Sequence, residues 1–127
     1  MVRWVCLIIL LLGAAATVRA EQPRRDRHAA EEQVEFGIEM AKHGLWQEAA
    51  YRFRKATHLD PSYAEAFNNL GVAFEQIGDL DEARAMYERA RALDPDDSYV
   101  RDNYERFREI DDRRVRPIPQ VAVATGS

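Results

Sequence analysis

The 127-residue sequence predicts an all-α fold, a helix-turn-helix solenoid of two repeats plus a C-terminal capping helix. Three observations predict it. Shifted by 34 residues, positions 30–63 lie over 64–97 without a gap, and ten of the 34 pairs are identical. Apolar residues within each copy recur at spacings of three and four, the period of one helix face. The breakers Gly44/Gly78 and Pro61/Pro95 recur at matching positions.

The chain opens with Arg3, a continuously apolar run from Trp4 to Leu12, and small residues before Val18-Arg19-Ala20, the order of a secretory signal peptide cut before Glu21. The uncharged stretch over 4–18 is shorter than the roughly 20 residues that cross a bilayer as a helix. An uncleaved anchor, with Arg3 and Arg19 reaching either interface, is the alternative. Both place the rest outside the cytosol. Cys6 is the one cysteine, and nearly all of the apolar stretch follows it, against a lipidated cysteine. Cleavage would leave no thiol for a disulfide or a metal.

Residues 21–29 read as a charged linker, and helices are expected near 30–43, 46–59, 64–77 and 80–93. Gly37 and Gly71 fall inside helices, where glycine costs about 1 kcal/mol against alanine, so each predicts a close backbone approach from a neighbouring helix. Gly44 and Gly78 follow apolar-periodic stretches as left-handed helix ends. Ser62 with Glu65, and Asp79 with Glu82, have the spacing of capping boxes. Pro61 and Pro95 end each repeat because they lack the amide hydrogen a helix needs. A capping helix over 98–112 carries Val100, Tyr104, Phe107 and Ile110 as one apolar stripe, with charge on its other faces. Residues 113–127 read as an extended or disordered tail, Pro117-Ile118-Pro119 within it.

The order Phe67, Leu70, Gly71, Phe74, Gly78, Ala83, Tyr87, Ala90 and Pro95 resembles the tetratricopeptide repeat. The first repeat departs from that pattern at Gln33, Phe36 and Met40, yet keeps the gapless register. The resemblance covers 30–97 with a half-repeat cap, and implies that the first helix of each pair lines a concave groove. The groove residues it assigns are Glu31, Val34, Ile38, Ala41 and Lys42, then Glu65, Asn68, Asn69, Val72, Glu75 and Gln76. Val34, Ile38 and Val72 would supply apolar contact, and the polar residues would set register; burial of those three between helices is the competing reading. Some family members hold a terminal carboxylate with a Lys and Asn clamp. Asn69 matches one clamp position, whereas Val34, Ile38, Tyr99 and Asn103 stand where that clamp has other residues, against recognition of that type.

Composition narrows the function. Residues 21–127 hold 16 Lys and Arg against 22 Asp and Glu, a net charge of −6, the wrong sign for a nucleic-acid footprint. The clusters Arg24, Arg25, Arg27 and Arg113, Arg114, Arg116 are shorter than a lipid-binding cluster and read as solvated linkers. His28, His43 and His58 sit at unrelated points of the repeat and read as surface histidines, not metal ligands. Asp96-Asp97 and Asp111-Asp112 fall at helix boundaries and read as caps and solvated charge. No nucleophile elbow, phosphate loop or His-Glu metal motif occurs, so neither an enzyme nor a cofactor is expected.

The expectation is an exported adaptor or assembly factor, in a bacterial periplasm or secreted, binding a protein or peptide in its groove. The alternatives are a self-associating scaffold anchored through residues 4–18 and a non-catalytic accessory subunit of an enzyme complex. Two repeats fall below the three that stack comfortably, which predicts a chain that is marginal, self-associates or is stabilised by a partner.

Overall fold

The computed structural model describes residues 23–116. The expectations for the signal segment 1–20 and for the tail beyond residue 116 lie outside the described residues. Five helices follow one another: α1 over 23–42, α2 Trp46–Leu59, α3 Ala64–Ile77, α4 Leu80–Leu93 and α5 Ser98–Val115. Successive helices pack in order from α2 to α5, and α5 also reaches back to α3. This is the expected two-repeat solenoid with a final capping helix.

The core is made of small residues and rings. Alanines 30, 49, 56, 66, 73 and 83 have no exposed surface, which lets helix axes approach. The mid-helix glycines admit an aromatic ring from the second helix of the same repeat. A Cβ on Gly37 would stand 2.7 and 2.9 Å from Phe53 ring atoms, and one on Gly71 would stand 3.0 Å from the ring of Tyr87. The close approach expected at these positions is therefore made by a side chain, not by backbone. Tyr87 in turn packs on Phe107 of α5, ring centroids 5.1 Å apart.

The turns use glycine as the sequence indicates. Gly44 and Gly78 have φ of 74° and 96°, the left-handed region open to a residue without Cβ. The amide N–H of Asp79 donates to the Phe74 carbonyl at 2.9 Å, and that of Leu45 to the Met40 carbonyl at 3.0 Å, so each helix end closes on itself.

The capping boxes do not form. Asp79 makes no side-chain cap. Ser62 makes none either: α3 begins after Tyr63, and Asp60 takes the Ser62 amide at 2.9 Å and its hydroxyl at 2.6 Å. Glu65 instead accepts from the Tyr63 hydroxyl at 3.0 Å. The Asp97 carboxylate does cap α5, accepting from the amides of Tyr99 and Val100.

Helix ends extend further than the sequence suggests. Residues 23–29, read as a linker, belong to α1. Arg27 donates to Asp60 at 2.5 Å, and its guanidinium lies 4.3 Å from the centre of the Tyr63 ring, so this extra turn is fastened to the junction of the repeats. Burial raises the Asp60 carboxyl, but bonds from Ser62 and Arg27 outweigh it and hold the group below its usual range. At the other end α5 runs past residue 112. Asp111 is buried and accepts from Arg84, while Arg114 bonds Asp81 at 2.8 Å and approaches Asp111 at 3.1 Å. Asp111 is therefore an internal anchor instead of solvated charge, and Arg27 and Arg114 are not parts of solvated linkers. The inward face of α5 is Val100, Asn103, Tyr104, Phe107 and Asp111; Ile110, expected in the stripe, is exposed.

Filling the Gly37 notch should be costly. Gly37→Ala gains about 1 kcal/mol of helix propensity but drives a methyl into the Phe53 ring, a net loss of roughly 1–2 kcal/mol. Gly71→Ala, with a wider gap, should lose less; urea midpoints of the two variants check the order.

Candidate functional site

The first helices of both repeats and the start of α5 border one cleft of about 290 Å³. Its walls are Ile38, Ala41 and Lys42 from α1, Trp46 and Phe53 from α2, Asn69 and Val72 from α3, and Tyr99 from α5. The site exists because the repeat register sets α1, α3 and α5 side by side. Residues four apart on one helix share a face, so Ile38 with Lys42 opens toward the cleft. Ile38 and Tyr99 are exposed; Trp46 and Val72 are half-buried.

Five of the sequence-assigned groove residues therefore meet here: Ile38, Ala41, Lys42, Asn69 and Val72. Val34 is 2% exposed and Asn68 fully buried, so neither side chain offers a surface to a partner. Val34 belongs to the apolar core, which is the competing reading of that residue. Asn68 accepts from the Asn103 carboxamide at 3.2 Å, and Asn103 accepts from Arg106 at 2.6 Å. Glu75 is half-buried and takes the Tyr87 hydroxyl at 2.8 Å. Burial and that carboxylate both push the Tyr87 phenol up, so it stays a donor. Glu31, Glu65 and Gln76 are exposed outside the cleft walls. Burial, then the negative charges of Glu65 and Glu31, raise the Tyr63 phenol.

Lys42 is the one cation among the described residues lining the cleft, and its ammonium lies 3.4 Å from Glu39. The hydrogen bond from Lys42, with its charge and that of the neighbouring His43, lowers the Glu39 carboxyl. Tyr99 and the buried Asn103 stand at the later clamp positions, so no second cation converges there. The three histidines are exposed, and no group of three or more metal-ligating residues occurs among the described residues.

Sequence reasoning missed Trp46, Phe53 and Tyr99 as cleft residues. Tyr99 was within reach, since a 34-residue shift places it on Glu31 and Glu65. Trp46 and Phe53 carried no such signal, because second helices approach the cleft only through tertiary packing.

A family model for the tetratricopeptide repeat matches residues 34–98, half of the chain. The chain belongs to the tetratricopeptide-repeat family. It is 31% identical over 77 residues to the human protein O-mannosyl-transferase TMTC1, a match that covers 61% of this chain and spans 9% of that protein. Among solved structures it resembles the Arabidopsis OM64 TPR domain, with a TM-score of 0.64, 22% identity, and coverage of 69% of this chain and 73% of that one. The Sgt2 TPR domain from Aspergillus fumigatus gives a TM-score of 0.63 at 21% identity, covering 91% and 87%. The tetratricopeptide-repeat scaffold is a protein-interaction module, and the cleft lies on the face formed by its first helices.

Placing a carboxylate at two neighbouring positions should separate core from surface. Val34→Asp buries an unpartnered charge and should cost ~3 kcal/mol or more, whereas Ile38→Asp, one turn along the same helix, should cost under ~1 kcal/mol. Thermal unfolding followed by circular dichroism measures both.

Proposed function

We propose that this protein is an exported adaptor or assembly factor that captures a segment of a partner protein in the cleft between α1, α3 and α5. The observation that carries the reading is the cleft itself. Apolar Ile38, Val72 and Trp46 stand there partly open to solvent, beside Lys42 and Asn69. Export is supported by the charge and apolar order of residues 1–20. Among the described residues no helix is long and apolar enough to cross a membrane, so an anchored form would rely on residues 4–18.

A second reading, self-association, is favoured by the outer end of the first repeat. In the second repeat, Phe67, Leu70 and Phe74 lie against α2 and α4. Their counterparts Gln33, Phe36 and Met40 have no preceding helix among the described residues, and Phe36 is 56% exposed beside the exposed Tyr51, with Arg52 near both rings.

One experiment separates the readings. The purified protein serves as bait for envelope proteins beside an Ile38→Asp/Val72→Asp variant and a Phe36→Ser variant, with sedimentation and helicity recorded for each. Loss of a captured protein by about tenfold or more in the cleft variant alone, with helicity kept, supports the adaptor. An oligomer dissolved by Phe36→Ser, with no cleft-dependent capture, supports self-association.

A further inference from the structure

The outer end of the first repeat is a face that the second repeat shows closed. There Leu70 is 2% exposed and Phe74 is buried, because α2 packs on α3 and Arg54 of α2 lies over the Phe74 ring. The 34-residue register sets Phe36 and Met40 at those positions. No helix precedes α1 among the described residues, however, and the Phe36 ring stands open beside Tyr51, which is 54% exposed. The other exposed large apolar side chains among the described residues stand in the cleft, in the α1–α2 turn, or late in α5 among arginines and carboxylates. The patch therefore matches itself better than any other described surface, and an interface that uses one patch twice is two-fold and closes at two.

Charge selects the axis. On α1, Glu32, Phe36 and Glu39 fall four and three residues apart and share a face, which makes that side of the patch acidic. On α2, Tyr51 and Lys55 share a face in the same way, and the Arg52 guanidinium lies 5.7 Å from the centre of the Phe36 ring and 5.6 Å from that of Tyr51. Arg52 shares its charge with Glu48 and Glu32 meets His28 at 3.5 Å, whereas Lys55 has no ionic partner among the described residues. Gly37 faces Phe53 and Arg52 bonds Gln33, so Phe36 stands level with Tyr51 along the antiparallel pair, and Glu32 level with Lys55. An axis parallel to the helices sets α1 of each copy on α2 of the other at the same level, base against acid. An axis across the helices would set acid on acid.

Resting on the self-association reading above, we propose that two copies of this chain form a closed two-fold dimer in which their α1 and α2 helices make a four-helix bundle. Phe36 of each copy packs on Tyr51 of the other, and Glu32 of each pairs with Lys55 of the other. Ile38 lies two residues from Phe36, about 200° around α1, so the cleft of both copies stays open.

Sedimentation equilibrium of the purified protein, with helicity recorded for every variant, tests the arrangement. A monomer–dimer equilibrium with nothing larger is expected. Phe36→Ser should weaken the dimer about tenfold or more. Glu32→Lys and Lys55→Glu should each weaken it about three- to tenfold, since each reversal sets like charges together at two places. Mixing these two variants should restore a dimer of natural strength, because in a pair of unlike copies both contacts are again opposite in sign. An assembly larger than two, one indifferent to Phe36→Ser or to either reversal, or one that mixing does not rescue would overturn the two-fold packing and leave self-association standing. A chain that stays monomeric to about 100 μM would remove both, whether Phe36 is then left bare or covered by residues 1–22 or 117–127 of its own chain.

Discussion

The contact of an aromatic ring with a glycine holds each repeat together. Phe53 lies across Gly37 and Tyr87 across Gly71, and in both pairs a methyl group would meet ring atoms at or inside 3.0 Å. With the ring in that notch, the flanking alanines can be fully buried, and two helices of modest amphipathicity form a dense layer. Tyr87 then serves two layers: its ring packs on Phe107 of the capping helix, and its hydroxyl bonds Glu75. The depth at which α3 sits between its neighbours follows from this packing, and so does the placement of Asn69 and Val72 in the cleft wall.

Charge completes what apolar area cannot. Among the described residues, each end of the two-repeat solenoid is tied by an arginine–aspartate set spanning separate helices. Arg27 with Asp60 fastens the extra turns of α1 to the junction between repeats; Arg84, Arg114, Asp81 and Asp111 fasten the last turns of α5 to α4. The two ends still differ. The outer face of α5 is charged, as a terminal cap should be, whereas α1 leaves Phe36 open beside Tyr51.

The cleft owes its character to the mixture of layers that form it. First helices contribute aliphatic side chains at matching repeat positions, second helices contribute Trp46 and Phe53, and the capping helix contributes Tyr99. Asn68 and Asn69, adjacent in sequence, have opposite fates. Asn68 turns inward to pair with Asn103, and Asn69 turns to the cleft without a partner among the described residues. A helix advances about 100° per residue, so neighbouring carboxamides of identical chemistry fall in different surroundings.

The sequence by itself determined the helices, the turns between them and the family. Those depend on local rules: the 34-residue repeat, apolar spacing, glycines whose φ is positive, and prolines that cannot continue a helix. It also placed Ile38, Ala41, Lys42 and Val72 on the cleft side by register, and Asn69 by its match to a clamp position of the family. Tertiary structure decided the rest. It put Val34 and Asn68 in the core, because burial depends on how closely the next helix approaches and register fixes only the face. It drew residues 23–29 and 113–115 into helices, because their stability comes from aspartates 33 or fewer residues away in sequence. Each of these outcomes rests on a contact between distant parts of the chain, and no local pattern of residues encodes it.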